Sequence, residues 1–310
     1  MPLIAAQNRL LHIVLLFCFL LTPQVFSQGT EKPIILVTGA TGTQGGAVVI
    51  ALLNEGFQVR GLTRSSNSEA SLALSEMGVE MVEGDFSDYA SLLRAMQNVY
   101  GVFSVQQYRG IGTDTEVEYG INVIEAAKAS NVKHFIYTSV SKAHLDTGVP
   151  QFESKLVIEN HLISSGLPYT IFRPASFMTA LIDLLNDQEG CNVSGPLPSD
   201  LQRTFIDPSD IGRFVSLAFS SPGQWIGMTQ IIAGDKLSYQ QIIETYNDIN
   251  LGCLIYQQLE WEDFLEDATE TDIIRERWYL TNEDPFDYES FKANYPWTNS
   301  FYDFLLQSNH

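Results

Sequence analysis

The chain has 310 residues and is 45% hydrophobic, enough for the core of one α/β domain of ordinary size with an appended region. It carries 37 acidic residues against 17 basic ones, a net charge of −20. Because a surface of this sign repels a phosphate backbone, the composition argues against nucleic-acid binding. The 5 histidines are scattered without metal-ligand spacing, so we expect no metal site.

Residues 1–27 have the pattern of a signal peptide. A single arginine, Arg9, precedes an apolar run at residues 10–21, which is too short to span a bilayer. Thr22 and Pro23 end the run, and we expect cleavage before Gln28. The sequence therefore predicts an exported chain, with an uncleaved membrane anchor as the alternative.

A strand, a glycine turn and a helix follow in that order. The aliphatic residues Ile34–Val37 predict a buried strand, and three glycines spaced GxxGxxG lead from it into a helix with an apolar face. Glycines let the backbone approach a pyrophosphate, and the helix N-terminus offers free N–H groups. The alternative is that these glycines serve strand-to-helix packing alone. We expect the pyrophosphate to contact Gly39, Thr41, Gly42, Gln44 and Gly45.

The next two strands predict the adenosine end of a dinucleotide site. The second strand, Gln58–Thr63, ends at Arg64. An arginine there accommodates the 2′-phosphate of NADP, whereas an acidic residue would favour NAD. A third strand, residues 79–83, is followed by Asp85 and Phe86, which we expect to flank the adenine. The alternative for Arg64 is a solvated charge at a strand end.

Two further strands complete an alternating series of strands and helices. They are predicted at residues 99–105 and at His134–Thr138. This alternation is typical of βαβ units and predicts an α/β fold.

Six motifs, in order, resemble the NmrA-like family of atypical short-chain dehydrogenases. The resemblance covers residues 33–255, and members of that family include NADP-sensing regulators, quinone reductases and phenylpropanoid reductases. The motifs are TGATGTQGGAV (38–48), EGDFSD (83–88), HFIYTSVSKA (134–143), the spacing K-x-x-x-E-x-H (155–161), GLPYTIFRPASFM (166–178) and FIDPSDIGRFV (205–215).

The resemblance implies a doubly wound parallel sheet of the Rossmann type, with the cofactor across the carboxyl ends of the strands. It implies a core at residues 28–173 and a smaller lid subdomain formed mainly by residues 174–310. Within the second part, residues 207–225 are expected to return to the core. A strand at residues 229–234 and a helix at residues 238–247 are assigned to the lid.

Short-chain reductases commonly use a Ser, a Tyr and a Lys, and the resemblance assigns two of these roles to Ser139 and Lys155. Gln151 stands four residues before Lys155, where the tyrosine is expected, so the usual proton donor is missing. Lys155 then either acts as the general acid itself or only contacts the nicotinamide ribose. The residues expected to line the inner ribose are Ser104, Val105 and Gln106.

The expected function is reduction of a small electrophile, such as a quinone or an activated carbonyl, by NADPH. The main alternative is a non-catalytic NADP(H) sensor that acts through a regulatory protein partner. A third reading is an exported binding module without cofactor. Export itself conflicts with the supply of NADP(H), which is an intracellular cofactor.

Two other features leave alternatives open. Cys191 and Cys253 either pair in an oxidising compartment or remain two buried thiols. Residues 260–289 hold twelve acidic residues and two arginines. This segment is either a solvated face or a docking surface for a basic partner.

Overall fold

A computed structural model describes residues 32–186 and 190–308 of the chain. The predicted signal peptide at residues 1–27 lies outside these described residues. None of the helices in the described ranges is long and apolar enough to cross a membrane. The strands are β1 (Ile34–Val37), β2 (Gln58–Thr63), β3 (Glu80–Glu83), β4 (Gly101–Ser104), β5 (His134–Thr138), β6 (Tyr169–Pro174), β7 (Ser176–Phe177), β8 (Asn192–Gly195), β9 (Arg203–Ile206), β10 (Met228–Ile232), β11 (Asp235–Leu237) and β12 (Ile255–Gln258).

Helices alternate with the first strands and then dominate the C-terminal part. They are α1 (Thr43–Asn54), α2 (Glu69–Glu76), α3 (Tyr89–Ala95), α4 (Thr113–Ala129), α5 (Pro150–Ser165), α6 (Met178–Asn186), α7 (Pro208–Ser220), α8 (Pro222–Trp225), α9 (Tyr239–Asn250), α10 (Trp261–Asp267), α11 (Glu270–Thr281), α12 (Tyr288–Asn294) and α13 (Phe301–Ser308).

Seven of the described strands form one parallel sheet in the order β10-β6-β5-β4-β1-β2-β3. The chain runs outward from β1 to β3 on one side and then crosses to β4 on the other. The strand order therefore reverses at β1, and folds of this kind bind ligands outside the carboxyl ends of the strands at that point. The predicted doubly wound parallel sheet is confirmed.

The two faces of the sheet carry separate apolar cores, because successive strand residues point to opposite sides. Ile35 packs with α1 and α7, whereas its neighbour Leu36 packs with residues from α3, α4 and α5. Helices α1 and α7 approach very closely, since a Cβ on Gly212 would lie only 2.4 Å from the carbonyl oxygen of Ala47. Only glycine allows α7 to lie this near α1.

The aromatic C-terminal segment covers α7 on its outer side. The ring of Phe214 on α7 lies 5.0 Å from the ring of Tyr295 and 4.6 Å from that of Trp297. Asp210, in the first turn of α7, accepts a hydrogen bond of 2.6 Å from the backbone N–H of Asn299. These contacts fix the end of the chain against the core on the α1 side of the sheet.

The C-terminal part also contains two smaller sheets around a third apolar core. Strands β7, β9 and β11 form one sheet, and β8 pairs with β12 in the other. A disulfide links Cys191, just before β8, to Cys253, just before β12, with the two Cα atoms 5.4 Å apart. Of the two alternatives that the sequence leaves open for these cysteines, the structure has the disulfide.

One strand lies in a different place from its sequence assignment. Residues 229–234 are assigned to the lid, but β10 pairs in parallel with β6 and forms an edge of the central sheet. The helices α7 and α8 between β6 and β10 make this a parallel crossover, which returns the chain to the same sheet. A strand of only five residues carries no signal for which sheet it joins.

Candidate active site

The glycine turn after β1 requires glycine at two positions. Gly39 has a φ of +60°, in the left-handed region that other residues rarely adopt. A Cβ on Gly45 would lie 2.1 Å from the carbonyl oxygen of Gly39, closer than any real contact. The turn therefore folds tightly onto the first turn of α1, which brings the α1 N-terminus beside the carboxyl end of β1.

The N-terminus of α1 is open to an anion. Its N-cap, Gly42, makes no side-chain capping bond, and its first turn holds no acidic residue. Thr41 is exposed beside it. Gln44 is buried and donates from Nε2 to the hydroxyl of Thr138 at 3.0 Å, while its Oε1 has no partner. Free N–H groups and the positive helix dipole at this point are the features that bind a phosphate.

Arg64 and Asp85 lie together at the edge of the sheet. Both line a shallow depression of about 300 Å³ that also includes Glu83, Gly84 and Asp88. Hydrogen bonds from the side chain and backbone of Ser87 hold the pKa of the Asp85 carboxyl below its usual value, and Arg64 contributes less. The depression can receive a phosphate at Arg64 and a polar ring beside Asp85.

Phe86 turns away from the depression toward α4. Its ring lies 5.7 Å from that of Tyr119, and its carbonyl oxygen accepts a hydrogen bond from the Asn122 side chain. The position of the Phe86 ring is thus fixed by packing against α4, and the contact of Phe86 with the adenine stays a prediction.

Ser104, Val105 and Gln106 lie at the carboxyl end of β4, next to the glycine turn. The Val105 backbone N–H donates to the Thr38 hydroxyl at 2.9 Å, which ties this end of β4 to that of β1. Gln106 is buried, donates from Nε2 to the Ser104 hydroxyl at 2.9 Å, and leaves its own Oε1 without a partner. This arrangement leaves a buried acceptor at the centre of the site.

Lys155 is a buried lysine on α5 with two oxygen partners. Its Nζ donates to the carbonyl oxygen of Gln106 at 2.6 Å and lies 2.9 Å from Oε1 of Glu116 on α4. Burial lowers the pKa of the Lys155 ammonium, while the carboxylate of Glu116 opposes that shift. An ammonium of lowered pKa that is held between two oxygens can give up a proton more readily than a solvated lysine.

Ser139 and Gln151 are also buried, and each has an oxygen without a partner. Ser139 follows β5, and Gln151 lies one turn before Lys155 on α5. Together with Gln44 and Gln106, they provide unpaired oxygens on elements that meet at the carboxyl ends of β1, β4 and β5. Buried polar atoms are nearly always paired in folded proteins, so such a group of unpaired atoms indicates a ligand site.

Tyr137 on β5 does not replace the missing proton donor. The hydroxyl of Tyr137 is fully buried without a partner, and its ring belongs to the apolar core with α4 and α5. Burial raises the pKa of Tyr137 well above its usual value. The Lys155 Nζ lies 5.8 Å from the centre of this ring, so the phenol supports the lysine through its π-face.

The sequence analysis missed Glu116, Thr138 and Lys142. Glu116 lies far along the chain from Lys155, and no spacing rule pairs residues on two different helices. Lys142 lies in the loop after β5 and forms a buried ion pair of 2.8 Å with Asp284. Among the residues that the structure describes, no cluster of three His, Cys, Asp or Glu side chains could hold a metal ion.

A parallel α/β sheet with an open helix N-terminus at its switch point defines a dinucleotide-binding class of fold. The model of the NmrA-like family matches residues 31–276, most of the chain. This protein belongs to the NmrA-like family.

Comparison with individual proteins gives more distant similarities. Photosystem II assembly factor Ycf39 of Trieres chinensis is 32% identical over 65% of this chain, and the match spans 64% of that protein, just under two thirds. The NmrA-like family domain-containing oxidoreductase hkm9 of Aspergillus hancockii is 30% identical over 74% of this chain and 77% of its own. The fold is shared with Citrobacter sp. triphenylmethane reductase complexed with NADP(H), at a TM-score of 0.66 and 18% identity over 81% of this chain and 92% of that one.

Proposed function

We propose that this protein is an NADPH-dependent reductase of a small electrophile, such as a quinone or an activated carbonyl. Support for the cofactor comes from the uncapped α1 N-terminus, the glycine turn and the exposed Arg64 beside Asp85. These groups fit a pyrophosphate and a 2′-phosphate. A family oxidoreductase and an NADP(H)-bound reductase among the similar proteins agree with this assignment.

The observation that carries the proposed reaction is the buried Lys155. When bound, NADPH supplies a hydride to the substrate carbon. In a quinone or carbonyl the electron pair then moves to the oxygen, which takes one proton to complete the reduction. Lys155 holds that proton at Nζ, and the pKa of its ammonium is lowered by burial. Glu116 and the Gln106 carbonyl keep the ammonium in one position. No tyrosine is then needed.

The cofactor assignment is tested first by titrating NADPH and NADH into the purified protein, followed by calorimetry. We expect NADPH to bind at least about tenfold more tightly than NADH. Arg64→Ala should remove this preference without weakening the binding of NADH. The exposed Arg94, at the rim of the same depression, provides the matched control. Equal loss of preference in Arg64→Ala and Arg94→Ala would contradict a specific role for Arg64.

Turnover is tested with a panel of quinones and activated carbonyls. We expect Lys155→Met to lower kcat by about a hundredfold or more, while NADPH affinity changes by less than about tenfold. Binding of NADPH without turnover of any substrate would overturn the reductase. It would favour a protein that acts through a partner, a role of which an assembly factor among the relatives is one example.

We also propose that the chain matures in an oxidising compartment. The proposal is supported by the Cys191–Cys253 disulfide and by the apolar run at residues 10–21. Expression of the chain with residues 1–27 in place should give an exported protein that begins near Gln28, as checked by N-terminal sequencing. A protein that stays in the cytosol with both thiols free would contradict export.

A further inference from the structure

Two cations from different parts of the fold converge on one aromatic ring. The Nζ of Lys142 lies 5.5 Å from the ring centre of Tyr279, and the Cζ of Arg203 lies 4.3 Å from it. Lys142 belongs to the loop after β5, whereas Arg203 begins β9 in the C-terminal part. Tyr279 comes from α11, so one side chain of α11 is held between the two parts.

The same segment supplies a carboxylate to one of these two cations. Asp284 accepts from the Nζ of Lys142 at 2.8 Å, and the side chain of Lys142 is 4% exposed. Burial alone would lower the pKa of Arg203, but the phenols of Tyr279 and Tyr239 and then the carboxylate of Glu276 on α11 raise it on balance. Glu276 itself pairs with Arg275 at 2.7 Å, and the Nε of Arg203 stays buried without a hydrogen-bond partner, as does the Oε2 of Glu276.

The two cations stand beside the proposed reaction site. Lys142 follows Ser139 by three residues, and the N–H of Ser141 binds the carbonyl oxygen of Pro174 at the carboxyl end of β6. The strand that begins with Arg203 pairs with β7, which directly follows β6. A ligand between Lys142 and Arg203 would therefore lie near the carboxyl ends of β5 and β6.

The segment that fills this position is held by few contacts. Helix α10 buries no residue, and α11 buries only Glu276 and Tyr279. Residues 260–289 carry a net charge of −10, so their own repulsion opposes a compact arrangement. Apart from the Lys142–Asp284 ion pair, the segment buries little, so it can open while the central sheet stays folded.

We propose that the position between Lys142 and Arg203, which Tyr279 and Asp284 fill in this structure, binds an aromatic carboxylate whose ring and charge take their places. The charge requirement follows from burial. Removing Asp284 alone leaves the Lys142 ammonium buried and unpaired, which is strongly unfavourable, so only an anionic ligand can replace it. The ring requirement follows from the two cations on the faces of Tyr279. As a substrate site, this inference rests on the proposed reductase.

The test uses trans-4-hydroxycinnamate as the probe and its neutral amide as the matched comparison, titrated into the full chain by calorimetry. We expect the carboxylate to bind at least about tenfold more tightly than the amide. Tyr279→Ala should strengthen carboxylate binding by about tenfold or more, because it removes the occupying ring. Lys142→Met should weaken it by a similar factor.

Two further variants keep the test decisive. Asp284→Asn frees Lys142 without removing any packing, and it should also strengthen carboxylate binding if Tyr279→Ala fails to fold. Arg277→Met removes an exposed cation from the outer face of α11 and should change binding by less than about twofold. Equal affinity for carboxylate and amide, or no gain in Asp284→Asn, would overturn the proposal.

The outcome is separable from that of the proposed function. An NADPH titration of the same protein reports on the cofactor site, and none of these variants changes a residue that is expected to contact the cofactor. Binding of NADPH with no binding of the carboxylate refutes the aromatic-acid site and leaves the reductase standing. Binding of the carboxylate with no binding of NADPH supports the site and refutes the reductase.

Discussion

The central sheet and the C-terminal part are stabilised by different kinds of contact. The central sheet has apolar cores on both faces, and its helices approach so closely that glycine is required, as at Gly212. The C-terminal part has a smaller core around β8, β9 and α9, to which it adds a disulfide and polar contacts. The disulfide thus adds a covalent contact where the apolar core is small.

This difference bears on function. Cofactor-binding groups of the proposed site lie in the turn after β1 and at the ends of neighbouring strands, where the backbone is rigid. Tyr279 and Asp284, which fill the proposed substrate position beside it, lie on a segment with few buried side chains. A rigid cofactor site beside a weakly held cover is the arrangement that lets a substrate enter without disturbing the cofactor.

The largest expected effect is on the C-terminal part. Cys253→Ser opens a disulfide whose cysteines are 62 residues apart, and a loop of that length corresponds to about 4 kcal/mol in the free energy of unfolding. Urea unfolding of the variant and of the oxidised wild type gives this difference. The double variant Cys191→Ser/Cys253→Ser should cost no more than the single one, since both remove the same bond. A loss below about 1 kcal/mol would contradict a stabilising role.

The second prediction concerns acid and the central sheet. His134, at the start of β5, is fully buried, and burial lowers its pKa to about 4. The folded protein resists its protonation, so its contribution is present above pH 6.5 and is lost as the pH falls toward 4. The loss is up to about 3 kcal/mol.

The measurement is the pH dependence of urea unfolding for wild type and His134→Gln. Asp210 acts in the opposite direction, because burial raises its pKa to about 6 and the folded state gains stability as that carboxyl is protonated. The difference between the two proteins isolates the histidine. If the free energy of unfolding has the same slope against pH in both proteins between pH 6.5 and 4, His134 is protonated in the folded state without cost.

The third prediction concerns the glycine turn. Gly45→Ala places a Cβ 2.1 Å from the carbonyl oxygen of Gly39, so the turn or α1 must move. We expect NADPH affinity to fall by about a hundredfold, since the backbone would no longer approach the pyrophosphate. Gly46→Ala is the control, because its Cβ would have its nearest contact at an ordinary 3.5 Å. Equal effects of the two substitutions would contradict a specific role for Gly45.

The parts of the fold that the sequence predicts are those with local signals. The strand before Gly39, the glycine turn and the βαβ alternation each extend over a few neighbouring residues, and the structure confirms the doubly wound sheet. Most of the expected cofactor residues lie at the carboxyl ends of the strands, while their roles stay predictions. Phe86, which packs toward Tyr119, shows that a motif can place the backbone without fixing where a ring points.

The remaining features depend on contacts between distant residues. Lys142 and Asp284 are 142 residues apart, and nothing in either neighbourhood marks the other as its partner. The Lys155–Glu116 pair joins two helices whose register is set only when both pack on the sheet. The acidic segment at residues 260–289 is a further example. Its charge favours a solvated face, yet Glu276 is buried and Asp284 is largely buried in the structure.

The smallest expected effect is on NADPH affinity. It distinguishes a charge in the Arg64 depression from a charge elsewhere on the central sheet. Glu83 ends β3, lines the same depression, and accepts hydrogen bonds from the N–H and hydroxyl of Ser66, which hold its pKa below the usual value. Its carboxylate is ionised at neutral pH and repels a 2′-phosphate beside Arg64. Glu83→Gln keeps an oxygen for Ser66 and should raise NADPH affinity by roughly two- to fivefold while NADH affinity stays unchanged.

Glu80→Gln provides the control for that experiment. It makes the same change on the same strand, but Glu80 pairs with Arg60 at 2.8 Å, outside the depression. Because both carboxylates are exposed, added salt should shrink the effect of Glu83→Gln toward that of Glu80→Gln. If the two variants raise NADPH affinity equally at low salt, the gain comes from net charge alone. The 2′-phosphate would then have to lie away from Glu83, and the assignment of Arg64 would fail with it.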